Sequence, residues 1–340
     1  MNRTPASVGW ASALIAAATF GASGALIKPV LEAGWSPTAA VTVRVLVGGL
    51  ALTPFAIVAL RGKWATLWQS RTRVLLMALI GVAGTQVMYF AAIQRIPVGT
   101  AVLIEYISPL LLIALAWVRT RKAPRAIVII GSLIAIGGLA LVVSPGGGGG
   151  LDPLGLVFAL TAMVGCAIYY LVAAQPSNGL PAVALAAAGL LLGGVVLAVI
   201  GFSGLVPFTA TFVDVAMFGW SVAWWTPLLL VGILATAVAY ASSIAATEIL
   251  GSRLASFVGL LEVVAATLYA WILLGEQLTL SQLLGGALIL AGIACVRSDK
   301  SGGADAAVAT PPQVAASGDA VPAASAQPTT PQSVGSAAGS

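Results

Sequence analysis

Ten apolar stretches follow one another along the chain, separated mostly by short polar breaks: residues 8–28, 37–60, 74–94, 98–118, 126–143, 153–174, 181–201, 227–247, 254–274 and 280–296. A helix rises ~1.5 Å per residue, so ~20 apolar residues cross a bilayer core of ~30 Å. The pattern therefore predicts an all-α integral membrane fold of ten transmembrane helices. Short breaks make sequence neighbours pack as antiparallel pairs. The first run, Val8 to Ile27, is long for a signal-peptide core and is read as a retained helix. One break is long, 202–226, and holds Phe208, Phe212, Trp220, Trp224 and Trp225, a density expected at a membrane interface rather than in water.

A Pro-Gly run at 144–152 divides the spans into two sets of five, 8–143 and 153–297. Residues 1–7 form a short N-terminus, and 298–340 are Ala, Pro, Ser, Thr and Gly with little else, a composition expected to stay disordered. Five is odd, so the second set enters the membrane from the opposite side, and any repeat between the sets is inverted. A constant shift of 154 residues matches Trp117 to Trp271, Gly131 to Gly285 and Gly138 to Gly292. Inverted five-helix repeats place a binding site near the midplane, between the halves. Gly131, Gly137, Gly138, Gly285, Gly286 and Gly292 give their helices small-residue faces. Such faces serve close helix packing or a homodimer contact.

Composition agrees: 60% of residues are hydrophobic and 7% charged, against ~25% charged in soluble domains. The net charge of +5 is distributed as a membrane protein distributes it. Arg61, Lys63, Arg71 and Arg73, then Arg119, Arg121, Lys122 and Arg125, then Arg253, Arg297 and Lys300 fall on one side; Lys28 and Arg95 fall on the other. The excess marks the cytoplasmic side and puts both termini there. The clusters lack the aromatic interleaving of a nucleic-acid groove, so no nucleic-acid partner is expected. There is no histidine, which removes His-based zinc, haem and general-base chemistry. Cys166 and Cys295 sit alone in apolar spans and read as small buried hydrophobes. No metal, no cofactor and no enzymatic nucleophile–base pair is expected.

Charges inside the spans carry the candidate chemistry. Glu105 lies ~12 Å along the fourth span, well inside the hydrocarbon. An ionised group there costs at least ~2.5–3.5 kcal/mol on insertion scales, which marks a functional residue by default. Arg44 lies at similar depth in the second span, and an Arg44–Glu105 pair would offset both costs. That pair reads either as a substrate and coupling site or as a clip between two helices. Glu262, in the ninth span, falls opposite Ser108 under the 154 shift, with no evident cation at its depth. Lys28 reads as snorkelling to the interface and Glu276 as a loop or capping residue. Gln86, Tyr89 and Gln94, Tyr106 and Ser108, Tyr240 and Ser243, and Phe20 with Ser23 gather near these charges; such residues line a cavity for a small amphipathic solute, or simply pack.

The C-terminal run LGSRLASFVGLLEVVAATLYAWILLGEQLTLSQLLGGALILAGIACV, residues 250–296, closely resembles the end of an EamA repeat of the drug/metabolite transporter superfamily. Arg44 and the opening TFGASGALIKP (19–29) fit the same likeness, and IQRIPVGTAVLIEYISPLLLIAL (93–115) looks most like the threonine/homoserine exporter branch. The chain departs from the family pattern in having Glu262-Val263 for Glu-Pro, and Arg-Thr-Arg-Lys at 119–122 for a Gly-Glu step. The resemblance implies two inverted repeats in a bacterial inner membrane, exporting a small metabolite, an amino acid or related zwitterion, against protons as coupling ion. The expected site is Arg44, Glu105, Tyr106, Ser108, Glu262, Tyr89 and Tyr240, with Arg44 on the substrate carboxylate and Glu105 on its amine or a proton. The rivals are a multidrug or other metabolite carrier of the same fold, and a channel or membrane scaffold.

Overall fold

The computed structural model describes residues 6–96, 98–143, 152–275 and 279–298. The linker at 144–151, the Glu276 loop and the tail from 299 lie outside these. Each apolar stretch is occupied by a helix. Ala6–Glu32 (α1), Pro37–Ala59 (α2), Arg71–Ile93 (α3), Pro153–Ala173 (α6), Ala182–Phe202 (α7) and Trp225–Leu250 (α8) are long and apolar enough to cross a membrane. So are two helices that break midway, α4 (Val98–Glu105 and Ser108–Thr120) and α9 (Ser252–Gly259 and Leu261–Leu274). Ala126–Val143 (α5) and Leu280–Ser298 (α10) are shorter and equally apolar.

Local chemistry sets the helix starts. Ser36 caps α2 and Asp152 caps α6, each followed by a proline in the first helical turn, where the missing N–H costs nothing. Asp152 Oδ1 accepts from the N–H of Leu154 at 2.8 Å and of Gly155 at 3.4 Å, and Oδ2 from Arg95 at 3.2 Å. The Leu154 N–H foremost, and then Arg95, hold this carboxyl below the usual aspartate range. A group depressed on folding stabilises fully above its unfolded pKa of ~3.9 and loses that contribution as pH falls through the folded value. Asp152→Asn is expected to keep the cap at neutral pH and to flatten the acid limb of the thermal stability, measured by unfolding in detergent below about pH 4.

Packing crosses between the halves. The first helix of each lies on the third and fourth of the other, α1 on α8 and α9, α6 on α3 and α4. α2 packs on α7 and α5 on α10. In the α5–α10 crossing a Cβ on Gly138 would come 2.5 Å from the Gly285 carbonyl, and one on Gly292 2.5 Å from that of Gly131. The 154 shift carries Gly131 to Gly285 and Gly138 to Gly292, so each contact maps onto the other, as a two-fold axis requires. The same shift relates the break after Glu105 to the break after Gly259, and the left-handed cap Arg121 (φ 55°) to Gly275 (φ 70°).

Two features escape the periodicity. α3 and α8 each contain a π-helical stretch, Met77–Gly84 and Ile233–Val238. At each, a threonine hydroxyl donates five residues back, Thr85 to the Ile80 carbonyl (2.8 Å) and Thr236 to Val231 (3.0 Å), where Thr42 and Thr247 reach back four. The long aromatic break is also not plain coil. It holds a hairpin, Val215–Met217 (β1) with Trp220–Val222 (β2), turned at Phe218 (φ 52°) and Gly219 (φ 85°), the signs a tight two-residue turn demands. The segment before it clasps the α1–α2 corner: Thr211 Oγ1 donates to the Ala33 carbonyl at 2.6 Å, and the Trp35 indole N–H to the Thr211 carbonyl at 2.5 Å. Trp35 stacks on Trp224 at 5.9 Å.

Candidate functional site

The helix breaks create the site. At Glu105 and Ser108 in α4, and at Leu260 and Glu262 in α9, the chain leaves regular helix beside a cavity of about 130 Å³. Pro109 in the first turn of the second α4 piece explains that break. In α9 the position after Glu262 is Val263, and the break coincides instead with a close crossing. A Cβ on Gly21 of α1 would come 2.8 Å from the Glu262 carbonyl and 2.7 Å from Ala265 Cβ. Only glycine lets α1 sit this near, and the contact fixes where Glu262 enters the cavity.

Of the seven expected site residues, six line this cavity: Arg44, Glu105, Tyr106, Ser108, Tyr240 and Glu262. Tyr89 does not; its ring packs edge-on against Phe90 at 5.6 Å. Gln86, Ser243, Phe20 and Ser23 line it as well, whereas Gln94 is exposed at the end of α3.

The expected Arg44–Glu105 pair is not formed. Among the described residues no ion pair joins Arg44 to either carboxylate, and its Nε is buried without a hydrogen-bond partner. Matched depth did not bring the two together because depth leaves the direction around each helix axis undetermined. Arg44 instead lines one cavity together with both Glu105 and Glu262, and Tyr106 lines it too. Arg44 is thus a cation on the cavity that Glu262 lines, where none was evident from the sequence. Glu105 and Glu262 come from the two helix breaks and line the same cavity. The site holds two carboxylates and one guanidinium.

Sequence reasoning missed part of the wall. Tyr169 donates to Ser243 Oγ at 2.8 Å and stands edge-on to Tyr240 at 5.8 Å, while Phe20 meets Tyr240 at 5.1 Å. Tyr170 lies beside Tyr169, its hydroxyl against Gly259 at the α9 break. Cys166, read as a bland apolar residue, also lines the cavity and accepts from Ser108 Oγ at 3.4 Å. All three project from α6, whose sequence holds no charge to draw attention; the one available signal was the run of polar-edged residues at 166, 169 and 170.

A largely buried ion pair lies away from the cavity. Arg73, expected in a basic loop, is only 6% exposed and pairs with Glu248 of α8 at 2.9 Å. Its burial follows from the end of α6, whose last carbonyls lack intrahelical partners. Nε donates to Val172 at 3.0 Å, Nη2 to Ala173 at 2.9 Å and Nη1 to Pro176 at 3.4 Å.

Comparison with known proteins agrees with this architecture. The "EamA-like transporter family" model matches residues 7–144 and 153–298. The "Uncharacterized transporter YvbV" of Bacillus subtilis (strain 168) is 26% identical over 266 residues, covering 76% of this chain and 81% of that protein. A solved structure described as "Crystal structure of protein" superposes with a TM-score of 0.68 at 18% identity, over 87% of this chain and 98% of that one, a likeness of fold. Two matches to the family model cover most of the chain, and the protein belongs to the EamA-like transporter family.

Proposed function

We propose that the protein is a proton-coupled secondary carrier that exports a small zwitterion, an amino acid or a close relative, by alternating access. The observation that carries this reading is the cavity between the halves, walled by one guanidinium with an unsatisfied Nε and by two carboxylates. Arg44 receives the substrate carboxylate, because a guanidinium fork matches that group and has donors to spare. Two carboxylates against one cation leave the site short of one positive charge. A proton or a substrate ammonium supplies it, so the two compete for Glu105 and Glu262, and that competition is a coupling mechanism. Tyr106 and Ser108 supply hydrogen bonds.

A volume of about 130 Å³ is small beside the ~300–1,000 Å³ of drug-sized pockets, which favours a metabolite over a drug. The likeness of residues 93–115 to the amino-acid exporter branch points the same way. In this reading residues 8–143 and 153–297 are two inverted repeats, the basic face is cytoplasmic and holds both termini, and the membrane is the bacterial inner one.

Screening an overexpressing strain against inhibitory amino acids and drugs identifies the solute. With that solute in inverted vesicles, Glu105→Gln is expected to lower gradient-driven transport about tenfold or more, equivalent to ~1.4 kcal/mol or more. Wild-type, gradient-dependent transport in the variant removes Glu105 from the mechanism.

A further inference from the structure

The Arg73–Glu248 pair has no part in the site above, yet Arg73 makes four hydrogen bonds, three to carbonyls at the end of α6 and one to Glu248. It joins α3 of the first half to α6 and α8 of the second. A buried ion pair adds little net stability over apolar packing, and its best-attested use is to specify one of several arrangements. Its position indicates which arrangement. A narrow void of about 20 Å³ shares Glu262, Phe20 and Tyr170 with the central cavity and is walled otherwise by small residues, among them Ala13, Ala16, Ala246 and Ala255. These lie near the start of α1, the end of α8 and the start of α9, and so lead from the cavity to the basic face. Thr247, the neighbour of Glu248, lines the same void. The end of α8 is therefore held by Arg73 on one side and forms the wall of the void on another.

The opposite face carries the corresponding clasp in other chemistry. There the start of α8 meets the end of α1 through Trp224 stacked on Trp35, as the start of α3 meets the end of α6 through Arg73. The π-helical stretches lie on the same two helices, Met77–Gly84 after Arg73 and Ile233–Val238 between Trp224 and Glu248. Such stretches interrupt the regular helical ladder and mark places where a helix can bend.

We propose that Arg73 and Glu248 form the latch of the basic face: the pair is made while the void is shut and breaks when α8 swings away to open the cavity to that side. The inference rests on the carrier reading, in which the cavity must open to each face in turn. While the latch is open Arg73 keeps the α6 carbonyls as partners, so its charge is never stranded.

Cys166 reports access to the cavity without any knowledge of the substrate. In a Cys295→Ser background it is the sole thiol, and a membrane-impermeant maleimide is applied to vesicles of either orientation. Glu248→Gln, which keeps an acceptor and loses the charge, and Arg73→Lys, which keeps the charge and loses the fork, are both expected to raise labelling from the basic face about tenfold and to leave the other face unchanged. Glu248→Ala does so more strongly where it folds. A lowered melting temperature with unchanged labelling shows a purely structural pair and overturns the proposal; so does labelling raised equally from both faces, which is general loosening. If face-selective labelling appears but no solute shows saturable transport, the carrier reading fails while the latch stands as a gated opening.

Discussion

Arg44→Ala is expected to reduce transport between about 30-fold and 1,000-fold while leaving the melting temperature of the purified protein nearly unchanged. The first part follows from the loss of charge-assisted hydrogen bonds to a substrate carboxylate, worth ~2–4 kcal/mol when one partner of a desolvated pair is truncated. The second follows from what Arg44 does not do. With its Nε unpartnered and no ion pair to Glu105 or Glu262 among the described residues, truncation breaks no salt bridge. A residue that merely clips helices together gives the reverse result, intact transport per folded molecule and a large fall in stability. Arg44→Lys recovers part of the activity, since an ammonium keeps the charge and loses the planar fork.

The largest effect on folding is expected at the α5–α10 crossing. Any side chain on Gly138 meets the Gly285 carbonyl and the Ile289 backbone nitrogen, at 2.5 and 2.8 Å from the Cβ. Backbone on both sides cannot rotate out of the way as a flexible side chain does. Membrane helices gain association from this close approach, since lipid offers no hydrophobic drive between them. Gly138→Ala is expected to destabilise by about 1–3 kcal/mol, the usual cost of overpacking, and Gly138→Leu to prevent accumulation of folded protein. Gly137, one position away, has open space around its Cβ position; Gly137→Ala is the matched control and is expected to be neutral. Thermal unfolding in detergent measures all three.

The ten helices were legible because bilayer thickness imposes a length and a polarity that ordinary residues report directly, from Pro37–Ala59 to Leu280–Ser298. The 154 shift was legible too, through Trp117 and Trp271 and the glycines, and it links structural features that no single residue announces. The break in α9 is one: Ser108-Pro109 signals the first-half break, while the second follows Gly259 with no proline after it and lies beside the close crossing of Gly21 on Glu262. Arg73 shows a second limit. A basic residue at a span end reads as a topological charge, and only the fold shows that the α6 carbonyls and Glu248 lie within its reach. For the site, residue type and depth found Arg44, Glu105 and Glu262, but not that all three face one cavity without Arg44 pairing to Glu105. Tyr169, Tyr170 and Cys166 gave only a weak signal, because aromatic and thiol side chains in an apolar span are ordinary packing residues unless a cavity opens beside them.

In the proposed mechanism one site, with Arg44 in it, carries the solute across. Proteoliposomes preloaded with the unlabelled solute from the resistance screen, and given a trace of the labelled form outside, test it most directly. The wild type is expected to show counterflow: labelled solute rises transiently above its equilibrium level, saturates with concentration, and does neither in the Arg44→Ala variant. A flux that only equilibrates, does not saturate and persists in Arg44→Ala contradicts a carrier and marks a channel.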